Sequence, residues 1–148
     1  MEKQVISKNK KAYFDYHIFD KFDAGLVLTG TEIKSVRNNA VNLKDSFIRI
    51  EKGEVFLYNC YISPFEHGNR YNHEPDRTRK LLLTRKEIIK IDSKVKKDGY
   101  TIVPLEMYIF KGFAKLEIAL AKGKKLHDKR EDIAKKDQKR EMERLKKW

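Results

Sequence analysis

Apolar and polar residues alternate most regularly between Phe113 and Ala121, where Ala114, Leu116, Ile118 and Leu120 share one face opposite Lys115 and Glu117. A period of two is what a half-buried strand requires, so this stretch is expected to pair across Lys111-Gly112 with a strand from Tyr100 to Phe110. A second hairpin is expected over Ser46 to Ile62. There Phe47, Ile48 and Ile50 lead into Glu51-Lys52-Gly53-Glu54, and Val55, Phe56, Leu57 and Tyr58 return. Upstream, Tyr13, Phe14, Tyr16, Ile18 and Phe22, followed by Gly25-Leu26-Val27-Leu28, have the aromatic and β-branched enrichment of strands.

Two segments read as helices. Thr84-Arg85-Lys86-Glu87 fits a capping box, and Ile88, Ile89, Ile91 and Val95 with Gly99 beyond predict a helix over about 85–97. A shorter helix is expected from Glu32 to Arg37, capped by Thr31, with Ile33 and Val36 at i, i+3 spacing and Asn38-Asn39 ending it. Residues 2 to 11 hold four Lys and little to bury, which suits a frayed start. The long polar segment from Glu66 to Lys80 is a loop. Together these elements predict a mainly β fold with helices: an OB-like antiparallel β-barrel with flanking helices and a basic C-terminal tail.

Composition sharpens the division. All eight Phe and all seven Tyr of the 148 residues lie before Lys122, whereas Lys122 to Trp148 carries a net charge of +6 out of the chain's +12. A barrel domain is therefore expected over 1–121 and a tail over 122–148. Such a positive chain suits a polyanion, because each Lys or Arg seated on a phosphate releases condensed counterions. Nucleic acid is the first partner class and an anionic membrane the second. No apolar run approaches the roughly 20 residues that span a bilayer, and Met1-Glu2-Lys3-Gln4 does not open a signal peptide, so a cytoplasmic protein is expected. The single Cys60, among Tyr58, Asn59, Tyr61 and Ile62, reads as a strand residue.

Catalytic signals are missing. His17, His67, His73 and His127 fall in no metal-binding frame, and no GxxxxGK[ST], GxGxxG or GxSxG occurs, so neither an enzyme nor a metal or other cofactor is expected. Glu32 and Asp45 could be paired carboxylates in three dimensions, but solvated or ion-paired acids are the expected reading. Three stretches could bind RNA instead. The loop His67 to Lys80 interleaves Arg70, Arg77 and Arg79 with Tyr71 and His73, supplying cations for phosphates and flat rings for bases. It reads equally as an ordinary polar loop. In the short helix, Lys34 and Arg37 share a face that could straddle a phosphate while Glu32 accepts hydrogen bonds; a solvated face with a local ion pair is the competing reading. In the tail, Lys122-Gly123-Lys124-Lys125 and Asp128-Lys129-Arg130 form a basic knot, and Glu131/Lys135, Asp132/Lys136 and Glu143/Lys147 are favourable i, i+4 pairs. An arm disordered when free and helical against RNA is expected.

At these stretches the chain resembles the SsrA-binding protein (small protein B) family of bacterial trans-translation. The likeness runs nearly full length, through Phe22-Asp23-Ala24-Gly25, Thr29-Gly30-Thr31-Glu32-Ile33-Lys34-Ser35, Asn42-Leu43-Lys44-Asp45-Ser46, Gly68 to Pro75, Arg77 to Leu83, Gly99 to Leu105, and Ala121-Lys122-Gly123-Lys124-Lys125 through Asp128-Lys129-Arg130. It implies a monomer that binds the tRNA-like domain of transfer-messenger RNA (tmRNA, SsrA) and delivers it to stalled ribosomes. By the same likeness Glu32 and Lys34 belong to the RNA-facing surface, and Lys122, Lys124 and Lys125 to a basic motif at the barrel's exit. His127, Asp128, Lys129 and Arg130 are implied to act in the tail, against small-subunit RNA at the decoding centre and in the empty mRNA channel. Phe47, where the family often has Tyr, and Phe19-Asp20-Lys21, in place of a more acidic run, depart from the pattern. The alternative is a general single-strand-binding OB-fold module, in which the barrel face would dominate; an RNA-processing enzyme is a third class.

Overall fold

In a computed structural model the described residues are 3–65, 72–125, 129–131 and 133–134. Chain order is β1 (Gln4–Lys8), α1 (Lys10–Asp15), β2 (Tyr16–Leu26), α2 (Gly30–Arg37), β3 (Val41–Asn42), β4 (Phe47–Glu51), β5 (Glu54–Tyr58), β6 (Tyr61–Ile62), β7 (Arg79–Leu82), α3 (Arg85–Asp98), β8 (Thr101–Phe110) and β9 (Phe113–Gly123). Seven strands form one antiparallel sheet in the order β1-β8-β9-β2-β7-β5-β4, and β3 pairs with β6 separately.

Both expected hairpins are present, and their turns explain their registers. Lys52 and Gly53 (φ +50° and +77°), like Lys111 and Gly112 (+51° and +82°), are left-handed pairs, as a two-residue turn matching strand twist requires. On β9, Ala114, Leu116, Ile118 and Leu120 face the main core with Leu57, Leu81, Met107 and Ile91. The opposite face is not all solvent. Ala119 and Ala121 are fully buried with Val103 and Leu105 beneath Ala12 of α1, a second small core that the alternation alone did not reveal.

The start of the chain differs from expectation. Tyr13 and Phe14 lie in a helix, because Asn9 caps it by accepting from the Ala12 amide at 3.3 Å and Ala12 has the second core to fill. Residues 4–8 form an edge strand on β8, where Lys3 reaches Glu106 at 3.0 Å and lies 4.6 Å from the centroid of Tyr108. The short helix begins at Gly30, one residue before the expected cap. Thr29 and Glu32 complete a capping box around it.

The expected barrel is not closed. The sheet curls until β4 lies beside the first half of β8, and a gap of about 420 Å³ opens there, lined by Phe47, Ile48, Arg49, Thr101, Ile102 and Pro104 among others. The outer edge of β8 has other partners. Asn9 donates from its side chain to the Pro104 carbonyl (2.9 Å) and from its backbone to the Leu105 carbonyl (2.8 Å), and β1 occupies Glu106 to Ile109. Pro104, with no N–H to offer a ladder, stands next to a bulge in β8.

β9 continues past the compositional boundary. Lys122 and Gly123 pair with His17 and Tyr16, and the Lys124 amide donates to the Asp15 carbonyl at 2.8 Å. A chain ending at Ala121 should consequently be less stable than one ending at Lys125, by about 1 kcal/mol or roughly 4 °C in Tm. Paired thermal melts measure this; equal melting points would mean that the last ladder pairs contribute nothing.

Candidate nucleic-acid interface

The chain forms α2 because Thr29 supplies the cap and Glu32 returns to its amide, but Glu32 does more than cap. Its carboxylate is fully buried. One oxygen accepts from the Thr29 amide at 2.8 Å and from Arg77 Nη2 at 2.6 Å; the other accepts from Arg79 Nε at 2.7 Å and Nη2 at 2.6 Å. Arg79, also fully buried, donates its remaining N–H groups to the carbonyls of Cys60, Glu74 and Pro75. One carboxylate thus joins the start of α2, the approach to β6, the loop end and β7. Burial alone would raise the Glu32 pKa. The hydrogen bonds from Arg77, the Thr29 amide and Arg79, with the Arg79 charge, outweigh it and hold the group at about 2.

The loop base is pinned at two further points. Asn72 exchanges both amide hydrogen bonds with Phe65, accepting from its N–H at 3.2 Å and donating to its carbonyl at 2.8 Å. His73 bridges the Ile62 carbonyl and the Thr31 hydroxyl, each at 2.9 Å. Since a carbonyl only accepts, Nε2 carries a proton and donates to Ile62. Arg70 and Tyr71 lie outside the described residues, as do His127 and Asp128 in the tail.

The arrangement corrects part of the expected site. Glu32 and Arg79 have no surface to offer RNA, because the charges that made them attractive as contacts neutralise one another inside the protein. Arg77 is intermediate, with 37 % of its side chain exposed while it holds Glu32. Lys34 and Arg37 are exposed on α2, Lys34 lying 5.3 Å from the Phe65 ring centroid at the loop base.

The other cations are elsewhere. Lys122 to Lys125 leave β9 opposite Tyr16 and His17, at the far end of β2 from Leu26 and α2. At about 3.3 Å per residue, β2 sets these two ends roughly 30 Å apart. Lys122 lies 4.5 Å from the Tyr100 centroid, Lys124 Nζ donates to the Tyr13 carbonyl at 3.2 Å, and Lys125 is exposed. Residues 129–131 are helical; Lys129 pairs with Asp15 at 3.0 Å, and Arg130 is exposed.

An open groove beside α2 escaped the sequence reading. It encloses about 720 Å³ between β2, β7, β9 and α2, with Leu26, Val27, Ile33, Leu82 and Phe113 on its walls and Asp23, Glu87 and Lys115 at its polar parts. Phe113 is 70 % exposed and Leu82 54 %, which a folding core does not explain. The signal was available: the alternation that buries Ala114 and Leu116 turns Phe113 and Lys115 to the other face. Among the described residues, no group of three or more His, Cys, Asp and Glu is placed to hold a metal ion, and no helix is long and apolar enough to cross a membrane.

Comparisons with known proteins agree over nearly the whole chain. The SmpB protein family profile matches residues 6–148. An SsrA-binding protein of Geobacillus kaustophilus is 62% identical over 143 residues, covering 97% of this chain and 92% of its own length. One from Bacillus pumilus is 61% identical with the same coverage. A solved structure described as "tmRNA-SmpB: a journey to the center of the bacterial ribosome" aligns with a TM-score of 0.67 at 44% identity, over 81% of this chain and 85% of that one.

The buried carboxylate has a pH signature. With its pKa held near 2 against an ordinary 4.5, Glu32 contributes stability that is fully present above about pH 5 and lost as pH falls toward 2. The difference corresponds to on the order of 3 kcal/mol. Glu32→Gln should cost about 3–5 kcal/mol at pH 7, since it leaves buried Arg79 without its counter-charge, and should flatten the stability profile between pH 5 and 2. Denaturant titrations across that range test both; a variant with the parent's acid slope would show that Glu32 is not the titrating group.

Proposed function

This chain belongs to the SmpB protein family, and from that premise we propose how its surface performs the family's task. It binds tmRNA and acts with it on the ribosome in trans-translation, as an RNA-binding protein. In this proposal the tRNA-like part of tmRNA is held at the α2 end, the tail serves the ribosome, and the protein is cytoplasmic and non-catalytic. One observation carries the assignment of the α2 end: rigid, internally neutralised supports present exposed cations beside an open apolar groove.

The chemistry follows from the supports. Arg79 and Glu32 fix the loop base without consuming Lys34 or Arg37, so those cations meet phosphates on a surface already in position. The groove with Leu82 and Phe113 offers an apolar wall for unstacked bases or ribose faces, and Lys115 stands beside it. Non-polar contact and phosphate contact then act together, which suits a folded RNA better than a uniform strand. Arg70 and Tyr71 are further RNA contacts in the same reading.

At the other end, Lys122, Lys124 and Lys125 guide RNA along the exit of β9, and the tail from His127 through Arg130 reaches small-subunit RNA. The helical turn beginning at Lys129 supports an arm that elongates as a helix when an RNA-lined channel supplies phosphates for its cations.

Filter binding of the chain to tmRNA, an ordinary tRNA and an unstructured strand, at two salt concentrations, tests the proposal. Tight binding selective for tmRNA is expected, and equal binding to all three would favour a general single-strand module. Leu82→Ala with Phe113→Ala should weaken tmRNA about tenfold or more with little change in salt slope. Lys124→Glu with Lys125→Glu should reduce that slope by about 0.7–0.9 for each phosphate that the variant no longer neutralises. An unchanged slope would remove those lysines from the RNA-binding set.

A further inference from the structure

The antiparallel pairing of β2 with β9 is interrupted between Ile18 and Lys21. Such a bulge turns side chains away from the regular ladder, and here it leaves Phe19 48 % exposed. Phe19 meets Tyr100 edge to face, with centroids 5.2 Å apart and planes at 81°. Lysines flank the pair: Lys122 Nζ lies 4.5 Å from the Tyr100 centroid and Lys94 Nζ 5.9 Å from it. Phe19 is exposed and Tyr100 half-buried against the core, so the ring open to a ligand is chiefly Phe19, with cations beside its partner, an arrangement that suits a nucleobase with its phosphate.

The neighbouring helix has the same character. On α3, Ile88, Ile91 and Val95 pack toward the main core, while Ile89 is 59 % exposed among Arg85, Lys86, Lys96 and Lys97. At 100° per residue these exposed positions fall within one arc of the helix, and no acid lies inside that arc. The acids around it are engaged already: Glu87 in the cap with Thr84, Asp92 with Lys96 at 3.1 Å, Asp98 with Lys94 at 3.5 Å, and Asp20 of the bulge with Lys90 at 3.5 Å. Lys94 and Lys96 are thus ion-paired within α3, and Arg85, Lys86 and Lys97 make up the rest of a positive face that an anionic ligand would complement.

We infer that the β2 bulge and the outer face of α3 form a second RNA-binding surface, which takes a structured RNA by stacking an unpaired base on Phe19 and Tyr100 and running its phosphates along α3. This rests on the reading of the chain as an RNA-binding protein and adds a site to it. The RNA bound here is a different segment from the one at the α2 groove, and the ribosome supplies it. The occupant is RNA because flat rings and regularly placed cations occur together; an acidic protein would use the cations alone.

The test uses the full-length chain bound to tmRNA. Phe19→Ala and, separately, Lys94→Gln with Lys97→Gln should each weaken association of the complex with ribosomes about tenfold in a pelleting assay, while affinity for free tmRNA stays at the parent value. The lysine variant should also lower the salt slope of ribosome association, and the Phe19 variant should leave it unchanged. Circular dichroism checks that both remain folded; these side chains are at least partly exposed. Ribosome association unchanged in both variants overturns the inference, as does an ultraviolet cross-link from the Phe19 surface to a ribosomal protein in place of RNA. Loss of tmRNA affinity in step with ribosome association overturns the assignment of a separate segment. A parent chain without preference for tmRNA would instead strike the family reading, which the binding assay above judges independently.

Discussion

A carboxylate cannot be buried without cations, and a guanidinium cannot be buried without acceptors; Glu32 and Arg79 solve each other's problem at the centre of this protein. Their pairing dictates much around it. Because Arg79 has N–H groups left after satisfying Glu32, it gathers the carbonyls of Cys60, Glu74 and Pro75. Because Glu32 has capacity left, it keeps Arg77 at the surface and the first turn of α2 closed. Removing Glu32 would leave the buried Arg79 charge uncompensated, whereas removing Arg79 would leave Glu32 with Arg77 alone. Such a network ties the described end of the loop to α2 and β7 through named hydrogen bonds.

The open sheet follows from a different competition. β1 and the Asn9 turn hold the edge of β8 from Pro104 to Ile109, and β4 approaches the stretch from Thr101 to Val103 without a ladder between them. The result is a barrel-like body whose ends and flank are closed by α2, α3 and α1, and whose gap is left to side chains such as Phe47 and Arg49. On β4, Arg49 lies 5.0 Å from the Phe47 centroid, and Phe47 stacks on Tyr58 across the β4–β5 pair, with ring centroids 5.2 Å apart.

Elements with a strong local signal were legible in the sequence. The hairpins over 47–58 and 101–123 follow from alternation and left-handed turn pairs, and α3 from its cap and its Ile88, Ile91 and Val95 stripe. Ile89 adjoins that stripe in sequence, but the helix rotates it off the stripe and leaves it exposed. What escaped depended on partners distant in sequence. β1 pairs along the edge that β8 offers, and α1, besides its Asn9 cap, depends on the hollow that Val103, Leu105, Ala119 and Ala121 present to Ala12. The site was half legible: Lys34, Arg37 and the exit lysines are on the surface, whereas sequence spacing could not show that Glu32 and Arg79, 47 residues apart, would meet and vanish into the interior.

β2 is a single strand paired to β9 on both sides of its bulge, so the α2 end and the exit of β9 cannot change their separation without breaking that ladder. In that sense β2 is a fixed spacer between the two ends. An RNA that touches both ends must present two contacts at the same fixed span, and the second contact then forms at the high effective concentration set by the first. A shorter or floppier RNA with identical local features gains no such reinforcement. Recognition can in this way depend on the distance between two unremarkable contacts, and a change in the number of residues along β2 would retune what the protein selects.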